Sequence, residues 1–402
     1  MTLSYFKTAN KLKQQGKLEE AIQFYRQAIE QNPNLHWFHH NLGEALAKIE
    51  KWDEVVAHYS QAIKLNPNSA SSHHNLGEAL ANLGRWDEAI VFYRRSIDIS
   101  PNSSLFNKKI GDLFALIALK IDLQFVNKYK IIDFLFQSEN LNKYANELCY
   151  DLWIIDENKF LERSEKLNNY DFVERVYHRY LKREADESGQ RYYLQLLHEG
   201  MSRQEFIVAM WQSPEFVSKW VASVKGVCFR EAAEAYRRAI ELGHNSNKCN
   251  QSLADALNQL GQALIQQDRL DEAIEIYGQV IDNCKNLGYA YYRQATVLYE
   301  KGQLNEAVDS YQKAIAINPD RIDAYRELGE VLAKLKLPDK AVECFQQGVS
   351  LAKEESDRIE LEFKIASILT EQGELDLALL HVETALRLSN FPHSKNHINI
   401  KF

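Results

Sequence analysis

Along most of the chain apolar residues return every three or four positions, in short segments divided by polar breaks. That spacing puts them on one face of an α-helix. The segment His39 His40 Asn41 Leu42 Gly43 Glu44 Ala45 Leu46 has a near copy in His73 His74 Asn75 Leu76 Gly77 Glu78 Ala79 Leu80, and each predicts the first helix of a pair. The second helix carries a small residue and, four positions on, a ring, as in Ala89 and Tyr93 or Ala307 and Tyr311. Small residues let two helices cross closely, and the ring on the same face locks the pair.

The pairs recur with a fixed step. Ala21, Val55 and Ala89, Tyr25, Tyr59 and Tyr93, and Pro33, Pro67 and Pro101 are each 34 residues apart. A two-helix hairpin cannot bury its apolar side alone, so hairpins must stack in a row. Three full units are predicted near 2–35, 36–69 and 70–103, and Asn107 to Leu119 reads as the start of a fourth. The grammar then fails, with Leu123 where a small residue is expected, and resumes at Ala232, Tyr236 and Ala239, continuing through Ala273, Ala307, Ala341 and Ala378. Longer steps at Asn245 to Gln251 and Glu354 to Asp357 predict polar loops between hairpins, where added length costs little.

These units resemble tetratricopeptide repeats. The family's glycine stands at Gly43, Gly77, Gly261 and Gly329, its closing turn at Asn32 Pro33, Asn66 Pro67 and Asn318 Pro319, and its small residue at Ala273, Ala307, Ala341 and Ala378. The resemblance implies an all-α superhelical solenoid in two arrays, residues 1–119 and 224–390, separated by a helical insertion. A polar tail, 391–402, follows.

Within the interruption, aromatic and aliphatic residues from Phe125 to Ile155 predict irregular helices over 120–168 that seal the open end of the first array. Residues 169–223 read as a small helical domain. Tyr170 to Asp186 forms one amphipathic helix, a second starts at Glu187, and a third starts after Ser202, with Ser202 and Glu205 as a capping box. Ser213 Pro214 Glu215 Phe216 begins a last turn. Leu181 Lys182 Arg183 Glu184 Ala185 Asp186, then Gly189, the pair Tyr192 Tyr193, Ser202 Arg203 and Ser213 Pro214 Glu215 Phe216 resemble a bacterial helical domain of unknown function, one also similar to phycobilisome linker domains. Lys182 stands where that family usually has glycine. Asp186, Ser188 and Gly189 offer too few oxygen ligands for a calcium loop and read as a structural turn.

Composition narrows the function. Few prolines and abundant helix formers suit an almost wholly helical protein. The net charge of −8 comes without a block of Lys and Arg, which argues against nucleic acid. No apolar passage is long enough to span a bilayer, and repeat features already in the first residues leave no room for a signal peptide, so a cytoplasmic place is expected. Five scattered cysteines, Cys149, Cys228, Cys249, Cys284 and Cys344, make neither a disulfide framework nor a metal pattern.

In a two-helix solenoid the first helices line the concave wall. Their exposed offsets nominate Trp37, His40, Asn41, Glu44, His74, Asn75 and Glu78 in the first array, and Asn258, Tyr289, Tyr292, Arg293, Tyr299 and Arg326 in the second. Asn41 and Asn75 occupy the offset of the asparagine ladder in sugar transferases of the O-linked N-acetylglucosamine type, where an amide pairs with a peptide backbone. The ladder does not continue, since Lys109, Gln259, Arg293 and Glu327 follow, and helix packing is the stronger reading. The paired histidines, His39 with His40 and His73 with His74, lie on hairpins about 10 Å apart, too far to share a zinc ion at about 2 Å. Tyr289, Tyr292 and Tyr299 read as an aromatic wall beside Arg293, with Tyr291 facing the core.

No phosphate loop, nucleophile elbow or paired carboxylates appear in the sequence, so the chain reads as no enzyme and carries no cofactor motif. The expected function is a scaffold that binds protein or peptide partners in its concave grooves. The alternative is an accessory or targeting part of a protein or glycan modification system, such as a glycosyltransferase. Self-association as a homodimer through an array end or the middle domain is a third reading.

Overall fold

A computed structural model of the chain describes residues 2–120, 160–161, 164–181, 183–211, 213–244, 246–283 and 288–389, and every regular element among them is helical. The chain divides into two compact units, residues 1–267 and 268–402. The expected sealing helices of 120–168 fall largely outside the described residues.

The first unit opens with antiparallel pairs: α1 (Thr2–Gln14) with α2 (Leu18–Gln31), α3 (His36–Ala47) with α4 (Trp52–Leu65), and α5 (Ala70–Asn82) with α6 (Trp86–Ile99). Each second helix also packs on the first helix of the next pair. The periodic small residues make that possible: Ala21, Val55 and Ala89 are fully buried, with the rings of Tyr25, Tyr59 and Tyr93 beside them. Each such ring contributes roughly 1.5–3 kcal/mol through burial. A Cβ built on Gly43 would lie 3.0 Å from the Tyr59 ring, and one on Gly77 would lie 3.1 Å from the Tyr93 ring. The repeat glycine is therefore the floor on which its own hairpin's ring rests.

The interruption falls inside the fourth hairpin. Helix α7 (Ser104–Lys120) begins that hairpin, and its partner is the far half of a long helix beyond the insertion. Numbering in chain order, α8 (Asn169–Leu181), α9 (Glu187–His198) and α10 (Arg203–Trp211) precede α11 (Pro214–Glu241), which packs along α7 and then along α12 (Asn247–Gln266). Position 223/224 lies within α11, a continuous helix of 28 residues rather than a last turn. Tyr236 donates its hydroxyl to Asp112 at 3.0 Å, and Glu231 of α11 takes Arg94 of α6 at 3.4 Å. Ser213 caps α11 by accepting from the Phe216 amide, with Pro214 in the first turn, as the sequence predicts.

The small domain is knitted by caps and one bidentate ion pair. Ser202 and Glu205 form the expected reciprocal box, with the Ser202 amide 2.7 Å from the Glu205 carboxylate. Asp186 caps α9 through the Gly189 amide at 2.8 Å. Arg183 donates twice to Glu215, at 2.8 and 2.7 Å, and once to Asp186 at 3.3 Å. Asp186 is thus a helix cap, and its carboxyl is held down to about 2 by the Ser188 hydroxyl and the Gly189 amide.

The second unit contains α13 (Leu270–Asn283), α14 (Gly288–Glu300), α15 (Leu304–Ile317), α16 (Ile322–Lys334), α17 (Pro338–Leu351), α18 (Glu355–Gln372) and α19 (Leu375–Leu388). Successive helices pack on one another around Ala307, Tyr311, Leu328, Ala341, Phe345, Leu361 and Ile365. Most of each expected polar loop is helical instead. Asn247 to Gln251 lie in the first turns of α12, which has 20 residues against 13 in α5. Glu355 to Asp357 likewise open α18, which has 18 residues. A Ser246 cap on the Cys249 amide lets α12 start early, so the extra length becomes helix.

Between the two helices of a hairpin the chain turns through a left-handed residue. Glycine holds that place at Gly16, Gly84 and Gly302, whereas Glu50 and Lys336 hold it with φ of 58°.

Candidate binding faces

In the first unit the nominated side chains other than Asn258 lie on α3 and α5, and most of them have partners within the chain. Trp37 is half-buried and packs edge-on against Phe6, with ring centroids 4.4 Å apart. Lys13 of α1 reaches Glu44 at 2.7 Å and the Asn41 amide oxygen at 3.1 Å. Asn41 in turn donates to the Trp37 carbonyl at 2.8 Å. His40 places Nε2 3.3 Å from Glu44 and Nδ1 2.9 Å from the Ser72 hydroxyl on α5. One step on, Lys109 of α7 reaches Glu78 at 2.6 Å. The result is a ladder of charge-assisted bonds from α1 to α3 and from α5 to α7, with His40 bridging α3 to α5.

The electrostatics follow. His40 above all, and Lys13 after it, hold the Glu44 carboxyl down to about 2 against the opposing effect of partial burial. His74 is buried, stacked on Phe106 at 4.7 Å and near Tyr93 at 5.1 Å, and its Nδ1 has no hydrogen-bond partner. Burial pushes its pKa down to about 4. Asn75 donates to the Tyr59 hydroxyl at 3.0 Å. Asn258, on α12, is half-buried with its amide oxygen unpartnered.

The inner histidines tie each hairpin to the preceding turn. His39 bonds the Pro33 carbonyl at 3.1 Å and His73 the Pro67 carbonyl at 2.9 Å. Because a carbonyl only accepts, Nε2 carries the proton in both. His39 Nδ1 lies 3.3 Å from His58 Nδ1, while His73 stacks on Phe92 at the matching place. Burial, then the neighbouring His39 and Arg26, push the His58 pKa down to about 4. Cys228 and Cys249 are free and buried, Cys344 is half-buried, and Cys149 and Cys284 lie outside the described residues.

In the second unit the nominated residues gather on α14 and α16. Arg293 donates from Nε to the Tyr289 hydroxyl at 2.7 Å, its guanidinium 5.0 Å from that ring. Arg321, which precedes α16, stacks on two rings, 4.2 Å from Tyr292 and 5.2 Å from Tyr289. Tyr292 and Tyr299 pack partly against the core, and Tyr292 meets Tyr311 at 5.8 Å. Lys334 sits 4.3 Å above Tyr299. Tyr291, expected in the core, is half-buried beneath Lys313 because its offset turns it toward α15. Arg326 is neutralised by Asp323 at 3.4 Å, Asp357 at 3.2 Å and Glu360 at 3.7 Å, tying α16 to α18.

Lys13, Ser72, Lys109, Arg321 and Lys334 join these constellations without being among the residues that the sequence nominates. Lys13 and Glu44 are 31 positions apart, as are Glu78 and Lys109, and Arg326 and Asp357. That recurring charge spacing is a signal for Lys13. Arg321 lies outside the helical offsets and gives none. Among the described residues no group of three or more His, Cys, Asp or Glu is placed to hold a metal ion, and no helix is long and apolar enough to cross a membrane.

Family models agree with this architecture. A family model described as TPR repeat matches residues 9–50, 48–84 and 295–336, and models described as tetratricopeptide repeat match 70–103, 229–286 and 322–355. A model described as Domain of unknown function (DUF4214) matches 153–220. No curated protein matches. Among solved structures, one titled "Crystal structure of MamA" is 24% identical with a TM-score of 0.33, covering 40% of this chain and 90% of its own. One titled "MamA 41-end from Desulfovibrio magneticus RS-1" is 21% identical with a TM-score of 0.33, covering 40% and 86%. BtubC from P. vanneervenii is 14% identical with a TM-score of 0.35, covering 52% and 92%. The chain is a tetratricopeptide-repeat solenoid interrupted by a helical insertion that matches DUF4214.

Proposed function

We propose that the protein is an interaction scaffold whose partner, a protein or peptide, docks on the first helices of its hairpins. The carrying observation is the patch of Tyr289, Tyr292, Arg293 and Arg321, half-buried side chains fixed against one another on one face of the second unit. Tyrosine and arginine dominate binding energy at interfaces because they offer area and directional donors with few freely rotating bonds. Ordering them before binding lowers the entropy lost on docking. The first unit supports the same reading less strongly, because His40, Asn41, Glu44 and Glu78 already have partners within the chain there.

A photo-crosslinking residue in place of Tyr292 in the full chain, expressed in its native cell, tests this. A discrete crosslinked protein, absent when the same residue replaces the exposed Gln347, is expected. Equal crosslinking at both positions, or none at Tyr292, contradicts the proposal.

A further inference from the structure

Resting on that reading of the α14 face, the geometry points to the chemistry of the partner: an extended protein segment that docks through side-chain carboxylates, with Arg293 and Arg321 as their contacts. Charge is the first reason. The chain carries 56 acidic against 48 basic residues, and several arginines among the described residues are neutralised. Arg26 meets Glu54, Arg94 meets Glu231, Arg183 meets Glu215, and Arg326 meets three carboxylates. Arg293 and Arg321 have no carboxylate partner among the described residues, yet both lie against the ring of Tyr289. Two uncompensated guanidiniums set against one ring concentrate positive charge on an otherwise acidic protein, and an incoming carboxylate neutralises it.

Geometry is the second reason. Tyr289 holds Arg293 through its Nε, and Tyr292 holds Arg321 by stacking, so both planes are fixed while their terminal nitrogens stay available. A fixed guanidinium fork matches a carboxylate in two parallel hydrogen bonds. The nearby carboxyls do not fill this role. Asp323 is engaged by Arg326, and burial together with Glu330 raises the pKa of Glu327, which disfavours its charge.

Length is the third reason. Lys334 lies over Tyr299 without a carboxylate partner, ten positions along α14 from Tyr289. At 1.5 Å per residue the two cationic ends are roughly 15 Å apart. An extended segment rising about 3.3 Å per residue spans that with acidic side chains about four or five residues apart.

The test uses the full chain and a fluorescent peptide of about ten residues, acetylated and amidated at its ends, with glutamates at that spacing. Glutamine and lysine versions are the controls. The glutamate peptide is expected to bind, to weaken with salt, and to lose about tenfold or more in affinity with Arg293→Gln/Arg321→Gln. Arg293→Glu/Arg321→Glu is expected to transfer preference to the lysine peptide. A glutamate peptide that binds no better than the glutamine peptide overturns the inference, as does a double variant with an unchanged melting curve and unchanged affinity. A partner crosslinked at Tyr292 whose contact segment lacks acidic residues also overturns it, while leaving the scaffold reading intact.

Discussion

Gly111 on α7 faces the ring of Tyr236 on α11, so closely that a Cβ built on the glycine would lie 2.9 Å from the ring. The same relationship joins Gly43 to Tyr59, Gly77 to Tyr93 and Gly329 to Phe345, each 16 residues apart. Between Gly111 and Tyr236 the separation is 125, so 109 further residues sit inside one hairpin. Loop entropy allows this, since each doubling of a flexible connection costs only about 0.6 kcal/mol. Burial along α7 and α11 and the bonds at Asp112 and Arg94 offset that cost.

The pair Arg94 and Glu231 fastens α11 to α6. Burial raises the Glu231 pKa and lowers that of Arg94, and each partner's charge opposes that shift in the other. Glu231→Ala is expected to destabilise by about 3–5 kcal/mol because it strands the arginine. Arg94→Met/Glu231→Leu is expected to cost much less. Denaturant midpoints for the single and double variants check this, and equal losses count against it.

Acid sensitivity follows from the buried histidines. His58 and His74 have folded pKa values near 4 against 6.5 when free. Between pH 6.5 and 4 the unfolded chain takes up protons that the folded sites refuse, so stability falls as pH falls through that window. Each unit of depression is worth up to about 1.4 kcal/mol. His58→Phe copies the Phe92 arrangement of the next hairpin and should flatten the slope. Glu44 adds a lower window, with its contribution present above pH 4.5 and lost toward pH 2. Melting temperature against pH for the parent and His58→Phe is the measurement, and identical slopes above pH 4 would count against this assignment.

The turn residues offer a stabilising prediction. Glu50 and Lys336 adopt φ of 58° at the place where Gly84 and Gly302 stand in neighbouring hairpins. A side chain there costs about 1 kcal/mol relative to glycine. Glu50→Gly and Lys336→Gly are each expected to raise the melting temperature, and Gly84→Ala to lower it.

Periodicity made the hairpins legible, because Ala21, Tyr25 and their successors report burial directly through residue type. The insertion point was less so. Tyr236 stood visibly in phase with its own successors, but the phase carries no sign that its glycine is Gly111, since only packing in space pairs them. The longer steps read as loops because Asn245 to Gln251 is polar, yet a helix with one solvated side tolerates that composition. On the binding faces, offsets found Tyr289, Tyr292 and Arg293. They could not show that Glu44 and Arg326 are already neutralised, which depends on long side chains meeting across hairpins.

A double-mutant cycle at Gly111 and Tyr236 tests the fourth hairpin most directly. With Tyr236 present, Gly111→Ala is expected to destabilise by about 1–3 kcal/mol through overpacking. With Tyr236→Ala the clash is gone and the same change should stabilise, by up to about 1 kcal/mol from helix propensity. An effect of Gly111→Ala equal in both backgrounds would mean that α7 and α11 do not share a hairpin.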